Sequence, residues 1–119
     1  MTDLIIKENV RVEDLIYEVR GVQVMLDSDL AKLYEVETKR INEAVKRNKE
    51  KFPERFSWIL SEKDMQNLRS QISTSSLNNY GGRRYEVKVF TEQGVAMLAT
   101  ILKSKKAIEI SLKIMDAFV

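Results

Sequence analysis

DLAKLYEVETKRINEAVKRN, from Asp29 to Asn48, is the stretch on which the fold of this 119-residue chain turns. Leu30, Ala31, Leu33 and Tyr34 supply the apolar side of one short helix, and Val36 falls in a connecting segment. Ile41, Ala44, Val45 and Asn48 then recur at helical intervals. The spacing predicts two helices joined by a tight turn, with Ala31 small enough to let them cross closely and Val36 filling the angle between them. Thr38 reads as the N-cap of the second helix, its hydroxyl accepting from a first-turn amide. At about 100° per residue, Lys39, Asn42, Glu43 and Lys46 project away from the apolar side, with Arg40 and Arg47 on its flanks. Glu35 stands where such helix pairs often carry glycine. A left-handed backbone is strained for this residue, so a wider turn is expected.

The exposed strip carries recognition chemistry. Lysine donates to guanine acceptors, asparagine pairs bidentately with adenine, and glutamate accepts from cytosine, which makes Lys39, Asn42 and Lys46 base-reading candidates. Arg40, Arg47, Lys49 and Lys51 suit phosphate, which positions a protein without reading sequence. Solvation alone also produces charged helix faces, and Glu43 and Glu50 are interleaved here. Spacing leaves both readings open.

Upstream, Leu15 to Val19 and Val22 to Leu26 are short apolar runs separated by Arg20-Gly21, which predicts a hairpin or two adjacent strands. Asp27 or Asp29 is expected to start the first helix, in a capping role. The Asp-Ser-Asp cluster lacks a further carboxylate in register and is assigned to structure and not to metal. Downstream, Phe52-Pro53 breaks the helical pattern and Phe56 to Leu60 reads as a buried strand, with Trp58 in the core and not a base-stacking platform. Ser61 and Asp64 form a capping box opening a helix that carries Met65, Leu68 and Ile72. From Ser73 to Arg84 the chain turns polar. Gly81 and Gly82 before Arg83 and Arg84 suit a wing-like phosphate contact, and equally a plain loop. The Lys-Ser/Thr ending of a nucleotide-binding glycine loop is absent.

Tyr85 to Phe90 alternates as a half-buried strand, and Thr91 caps a helix from Glu92 to Lys103. Ser104 caps a last helix, with Ile108, Leu112, Met115 and Val119 on one side and Ile110, Ile114 and Phe118 widening the apolar face. That width predicts either a homodimer contact or a C-terminal region beyond Val119 packed upon it.

Composition bounds the function. With 44% hydrophobic residues the chain can bury a core without staples, and one α+β domain spanning residues 1–119 is expected: an N-terminal hairpin, the helical pair, short strands and two C-terminal helices. The chain has no Cys and no His, which removes thiol nucleophiles, disulfides, the usual zinc sites and the commonest general base. No cofactor, metal or catalytic residue is expected. A net charge of +2 is too small for a global field, so any nucleic-acid binding rests on local clustering. The N-terminus lacks signal-peptide character and no apolar run has membrane-spanning length, so a cytoplasmic protein without a membrane partner is expected.

Four blocks carry a resemblance: RGVQVMLDSDLAKLYEVETKRINEAVKRN from Arg20, FPERFSWILSEKDMQNLRSQ from Phe52, GGRRYEVKVFTEQGVAMLATIL from Gly81, and AIEISLKIMDAFV from Ala107. In this order they resemble the phage-encoded ORF6N domain, a relative of the KilA-N and Bro-N DNA-binding modules. The resemblance implies a sequence-directed, double-stranded-DNA-binding module of an antirepressor-like regulator, N-terminal in a longer protein with a C-terminal effector domain. It carries the DNA role onto Lys39, Arg40, Asn42, Lys46 and Arg47, in the helix that Thr38 opens, and onto Arg83 and Arg84. Glu92 and Gly94 are read as fold determinants. The competing expectation is a protein-interaction module that binds a repressor or other acidic partner without touching DNA. A magnesium nuclease built on Asp27, Asp29 and Glu37 ranks third, because no base or further ligand stands near them in sequence.

Overall fold

The computed structural model describes residues 11–71 and 86–119. The expectations for Ile72, for the loop from Ser73 to Arg84 and for Tyr85 lie outside the described residues. In chain order, a 3-10 turn at Val12–Leu15 leads into β1 (Tyr17–Val19) and β2 (Val22–Leu26). Then come α1 (Asp27–Tyr34), α2 (Thr38–Arg47), a 3-10 turn at Lys49–Lys51, β3 (Ser57–Ile59) and α3 (Glu62–Arg69). β4 (Lys88–Phe90), α4 (Glu92–Leu102) and α5 (Lys105–Ala117) complete the α+β architecture.

β1 and β2 form the expected hairpin. Val19 pairs with Val22, leaving Arg20 and Gly21 as the two loop residues, both at positive φ (56° and 74°). A two-residue turn with this handedness matches the right-handed twist of the strands it joins. The sheet continues through β4 to β3 in the order β1-β2-β4-β3, every neighbour antiparallel. The outer edge of β1 is occupied by a side chain: the Glu18 N–H donates to Gln71 Oε1 at 2.8 Å, and Gln71 Nε2 donates to the Glu18 carbonyl at 2.7 Å.

Both faces of the sheet are covered, as the period-2 alternation of its strands requires. Met25 and Phe90 point into the larger cluster, formed with Leu30, Ala31, Leu33, Ile41, Val45, Val95, Leu98 and Ile114 from the four helices α1, α2, α4 and α5. Val24, Leu26 and Val89 point the other way, to Leu60 and to Leu68 of α3, with Trp58 and Met65 packed alongside. Trp58 is partly buried against this cluster and not inside it, and the strand that carries it runs from buried Ser57 to exposed Ile59; the guanidinium of Arg20 lies 5.0 Å from the Trp58 ring centroid while donating to both carboxylate oxygens of Asp64 at 3.2 and 2.8 Å. Burial works against the Asp64 charge, yet the bonds from Arg20 and Ser61 outweigh it and hold the carboxyl below its usual range.

Helix starts at Ser61, Thr91 and Ser104 follow the expected caps, accepting from Asp64, Gly94 and Ala107 respectively, and Ser61 with Asp64 completes the capping box. Gly94 is a close-packing site, because a Cβ there would stand 2.1 Å from the Phe56 carbonyl oxygen. The broad apolar face of α5 divides in two: Ile114 is fully buried, whereas Ile108 and Leu112 remain 46% and 58% exposed on the outside.

Candidate nucleic-acid interface

The candidate interface is built on the α1–α2 pair. Four of its features depart from the sequence reading. The turn is not widened: Glu35 takes the left-handed conformation (φ 61°, ψ 45°). Its N–H donates to the Lys32 carbonyl at 3.2 Å and the Val36 N–H to the Ala31 carbonyl at 2.9 Å, the paired closure of a Schellman motif. Val36 then packs on the core, as that motif favours. The Glu35 carboxylate meets Lys106 Nζ of α5 at 2.5 Å. Tyr34 and Ser111 join α1 to α5 again through a buried hydroxyl pair at 2.6 Å.

Thr38 is not the N-cap. Glu37 occupies that position without a side-chain cap bond, and Thr38 is the first helical residue, half-buried. α1 starts at Asp27, as expected, but neither Asp27 nor Asp29 is its N-cap, because Leu26 holds that position without a side-chain cap bond. Asp27 is 2% exposed and uses both oxygens: Oδ1 accepts from the Ser28 N–H at 2.7 Å, and Oδ2 accepts from Asn42 Nδ2 at 3.1 Å and from the Lys88 N–H at 3.2 Å. Burial raises the Asp27 pKa, with these bonds opposing it. Asp29, also buried, is pushed up to about 6, by burial first and by the Asp27 charge, against Lys32.

The fourth departure follows from the Asp27 bonds. Asn42, expected to present its amide to adenine, instead spends Nδ2 on Asp27, and its Oδ1 is buried. It is a tether between α1 and α2. Asn48 likewise works locally, its Nδ2 donating to the Ala44 carbonyl at 2.8 Å near the end of α2.

Lys39, Asn42 and Lys46 come together as expected, but around a concavity of about 440 Å³ and not on a free convex ridge. Its other lining residues are Glu43, Val45, Lys49, Ile59, Glu86 and Lys88, so the opposite wall belongs to β3, β4 and the residues leading into β4. Arg40 and Arg47 are exposed and are not part of this lining. Arg83 and Arg84 lie outside the described residues. Lys88 and Ile59 were missed by the sequence reading. The alternation in Glu86 to Phe90 put Glu86 and Lys88 on one face, but nothing local said that this face meets α2.

Residues 38–51 hold six basic and two acidic side chains, a net +4, while the whole chain is +2 and the remainder therefore −2. Charge is concentrated on α2 and the turn after it. Lysine and arginine are donors without acceptor capacity, so the surface is chemically fitted to anionic oxygens and to base acceptors. Among the described residues no group of three His, Cys, Asp or Glu side chains is placed to hold a metal ion, and no helix is long and apolar enough to cross a membrane. The family model for the ORF6N domain matches residues 14–101 of the chain. No curated protein and no solved structure matches it.

Proposed function

We propose, from the premise that the chain belongs to the ORF6N domain family, that it is a double-stranded-DNA-binding module of a phage- or prophage-type regulator, with α2 as the helix that meets the duplex. The observation that carries this reading is the net +4 on residues 38–51, displayed on α2 and the turn after it, with the entry of the helix set by the Schellman turn at Glu35 and its side tied to Asp27. A helix following a tight turn, with its own exposed cationic face, is the arrangement by which helix-turn-helix proteins address a major groove. Thr38 opens that helix; Lys39, Arg40, Lys46 and Arg47 supply its contacts, and Asn42 keeps it in place.

Binding of labelled duplexes as a function of salt tests the proposal. Each phosphate contact contributes a slope near 0.9 in log affinity against log salt, so affinity should fall steeply between about 50 and 200 mM. The triple variant Lys39→Ala, Lys46→Ala, Arg47→Ala should lose most of it. A protein that binds no duplex even near 50 mM salt would overturn the proposal and favour an antirepressor that contacts an acidic protein.

A homodimer through α5 belongs to the same proposal. Ile108 and Leu112 form its exposed apolar stripe, and Lys105 and Asp116 stand near opposite ends of the helix, so an antiparallel second copy brings each beside its complement. Because Tyr34 and Glu35 are bonded to α5, such a contact would set the spacing of two α2 helices.

A further inference from the structure

Resting on the DNA-binding reading above, the geometry points to a division of labour across α2 that reverses the assignment read from the sequence. Ile41 and Val45 are buried, and at about 100° per residue the pole opposite them is Glu43. Lys39 and Lys46 lie on one shoulder of that pole, facing the concavity, while Arg40 and Arg47 lie on the other shoulder. A helix enters a major groove about 12 Å wide by its convex side. Side chains that face a wall of their own protein do not reach base edges unless that wall gives way. A single sugar-phosphate strand is slimmer than a duplex, and the concavity of about 440 Å³ between α2 and the sheet offers it space.

The wall is held. One oxygen of Asp27 bonds both the Asn42 side chain on α2 and the Lys88 backbone on β4, so the two sides of the cleft are pinned to a common buried point and its width is set before any ligand arrives. Four lysines line it, from three separate segments, Lys39 and Lys46 on α2, Lys49 on the turn that follows and Lys88 on β4, and they outnumber the two carboxylates of the lining, Glu43 and Glu86. The cleft therefore takes the phosphodiester backbone of one DNA strand, with Lys49 and Lys88 as phosphate contacts. The opposite shoulder, Arg40 and Arg47 beside Glu43, takes base edges, where arginine pairs bidentately with guanine.

The test compares Lys39→Ala, Lys46→Ala, Lys49→Ala, Lys88→Ala, Arg40→Ala and Arg47→Ala on two duplexes, the consensus recovered by selection from a random pool and a scrambled version of it. Lys88→Ala leaves the backbone bond to Asp27 in place, and circular dichroism confirms the fold of each variant. Lys49→Ala and Lys88→Ala should weaken both duplexes by the same factor and each lower the salt slope by about 1, with Lys88→Arg restoring it. Arg40→Ala or Arg47→Ala should instead cut the preference for the consensus by about tenfold or more. An unchanged slope in a folded Lys88→Ala protein that still binds DNA overturns the cleft assignment while leaving DNA binding intact. Discrimination lost in Lys39→Ala and Lys46→Ala, and kept in both arginine variants, overturns the division of labour. Absence of binding by the wild-type chain overturns the underlying reading itself.

Discussion

Asp27 accepts the side-chain amide of Asn42 at 3.1 Å through the same oxygen that receives the Lys88 N–H at 3.2 Å. One buried carboxylate thus joins the first residue of α1, the middle of α2 and the start of β4. Removing it leaves three donors without their acceptor, the third being the Ser28 N–H on the other oxygen, and each costs about 1–3 kcal/mol where water cannot replace the bond. Asp27→Ala should destabilise the domain by about 2–4 kcal/mol in urea titration. Asp27→Asn, which keeps an acceptor, should cost clearly less.

Gly94→Ala should cost about 1–3 kcal/mol, because the added methyl meets the Phe56 carbonyl at 2.1 Å and α4 must shift away from it. The control is Gly21→Ala. It has open space around its Cβ, and its cost is the backbone strain at φ 74°, about 1 kcal/mol. Thermal melts followed by circular dichroism rank the two, and a reversed order would refute the steric account.

Glu35→Gly should leave stability nearly unchanged or raise it slightly. Glycine relieves a left-handed strain of about 1–2 kcal/mol but makes the unfolded chain more flexible. The ion pair it forfeits with Lys106 joins side chains 70% and 51% exposed and is worth about 0–1 kcal/mol. A loss above 2 kcal/mol on chemical denaturation would mean that the Glu35–Lys106 contact matters far more than its exposure implies.

Asp29 gives the stability curve a defined sign. Its usual value of 3.8 is raised to about 6 in the fold, so between these the native state holds a proton that the unfolded chain releases. Stability is fully present below the lower value, falls as pH rises through the window, and stays at the reduced level above about 6. The loss is at most about 3 kcal/mol. Asp29→Asn should flatten this slope and raise the melting temperature near pH 7.5; an unaltered pH profile would show that the carboxyl titrates normally.

Leu112→Glu, which places charge on the outer stripe of α5, should convert any dimer to monomer in sedimentation equilibrium without lowering the melting temperature of the monomer. Lys105→Glu should weaken association, and Lys105→Glu with Asp116→Lys should restore it.

What the sequence disclosed was local. The capping box at Ser61 and Asp64, the caps at Thr91 and Ser104 and the turn at Arg20-Gly21 each depend on residues within four positions of one another, and each stands where the pattern put it. The misreadings involve distance. Asp27 looked like a cap because Asn42 and Lys88, 15 and 61 positions away, were not visible as partners. Asn42 looked like a base reader for the same reason. Glu35 was judged by its intrinsic preference, whereas the two closing bonds to Ala31 and Lys32, the packing of Val36 and the approach of Lys106 together override that preference. The strip on α2 was correctly gathered by helical period. Period alone shows which side chains share a face, not what stands opposite them.

The pairing of Gln71 with Glu18 bears on self-association of a different kind. By offering a carbonyl and an amide N–H in the positions that a neighbouring backbone would use, the Gln71 side chain imitates a strand one residue long. An incoming polypeptide seeking to extend the sheet at β1 finds that rung of the ladder filled, and must first displace a group tethered to the same molecule. The domain thereby carries its own plug against edge-to-edge polymerisation, supplied by a single neutral side chain.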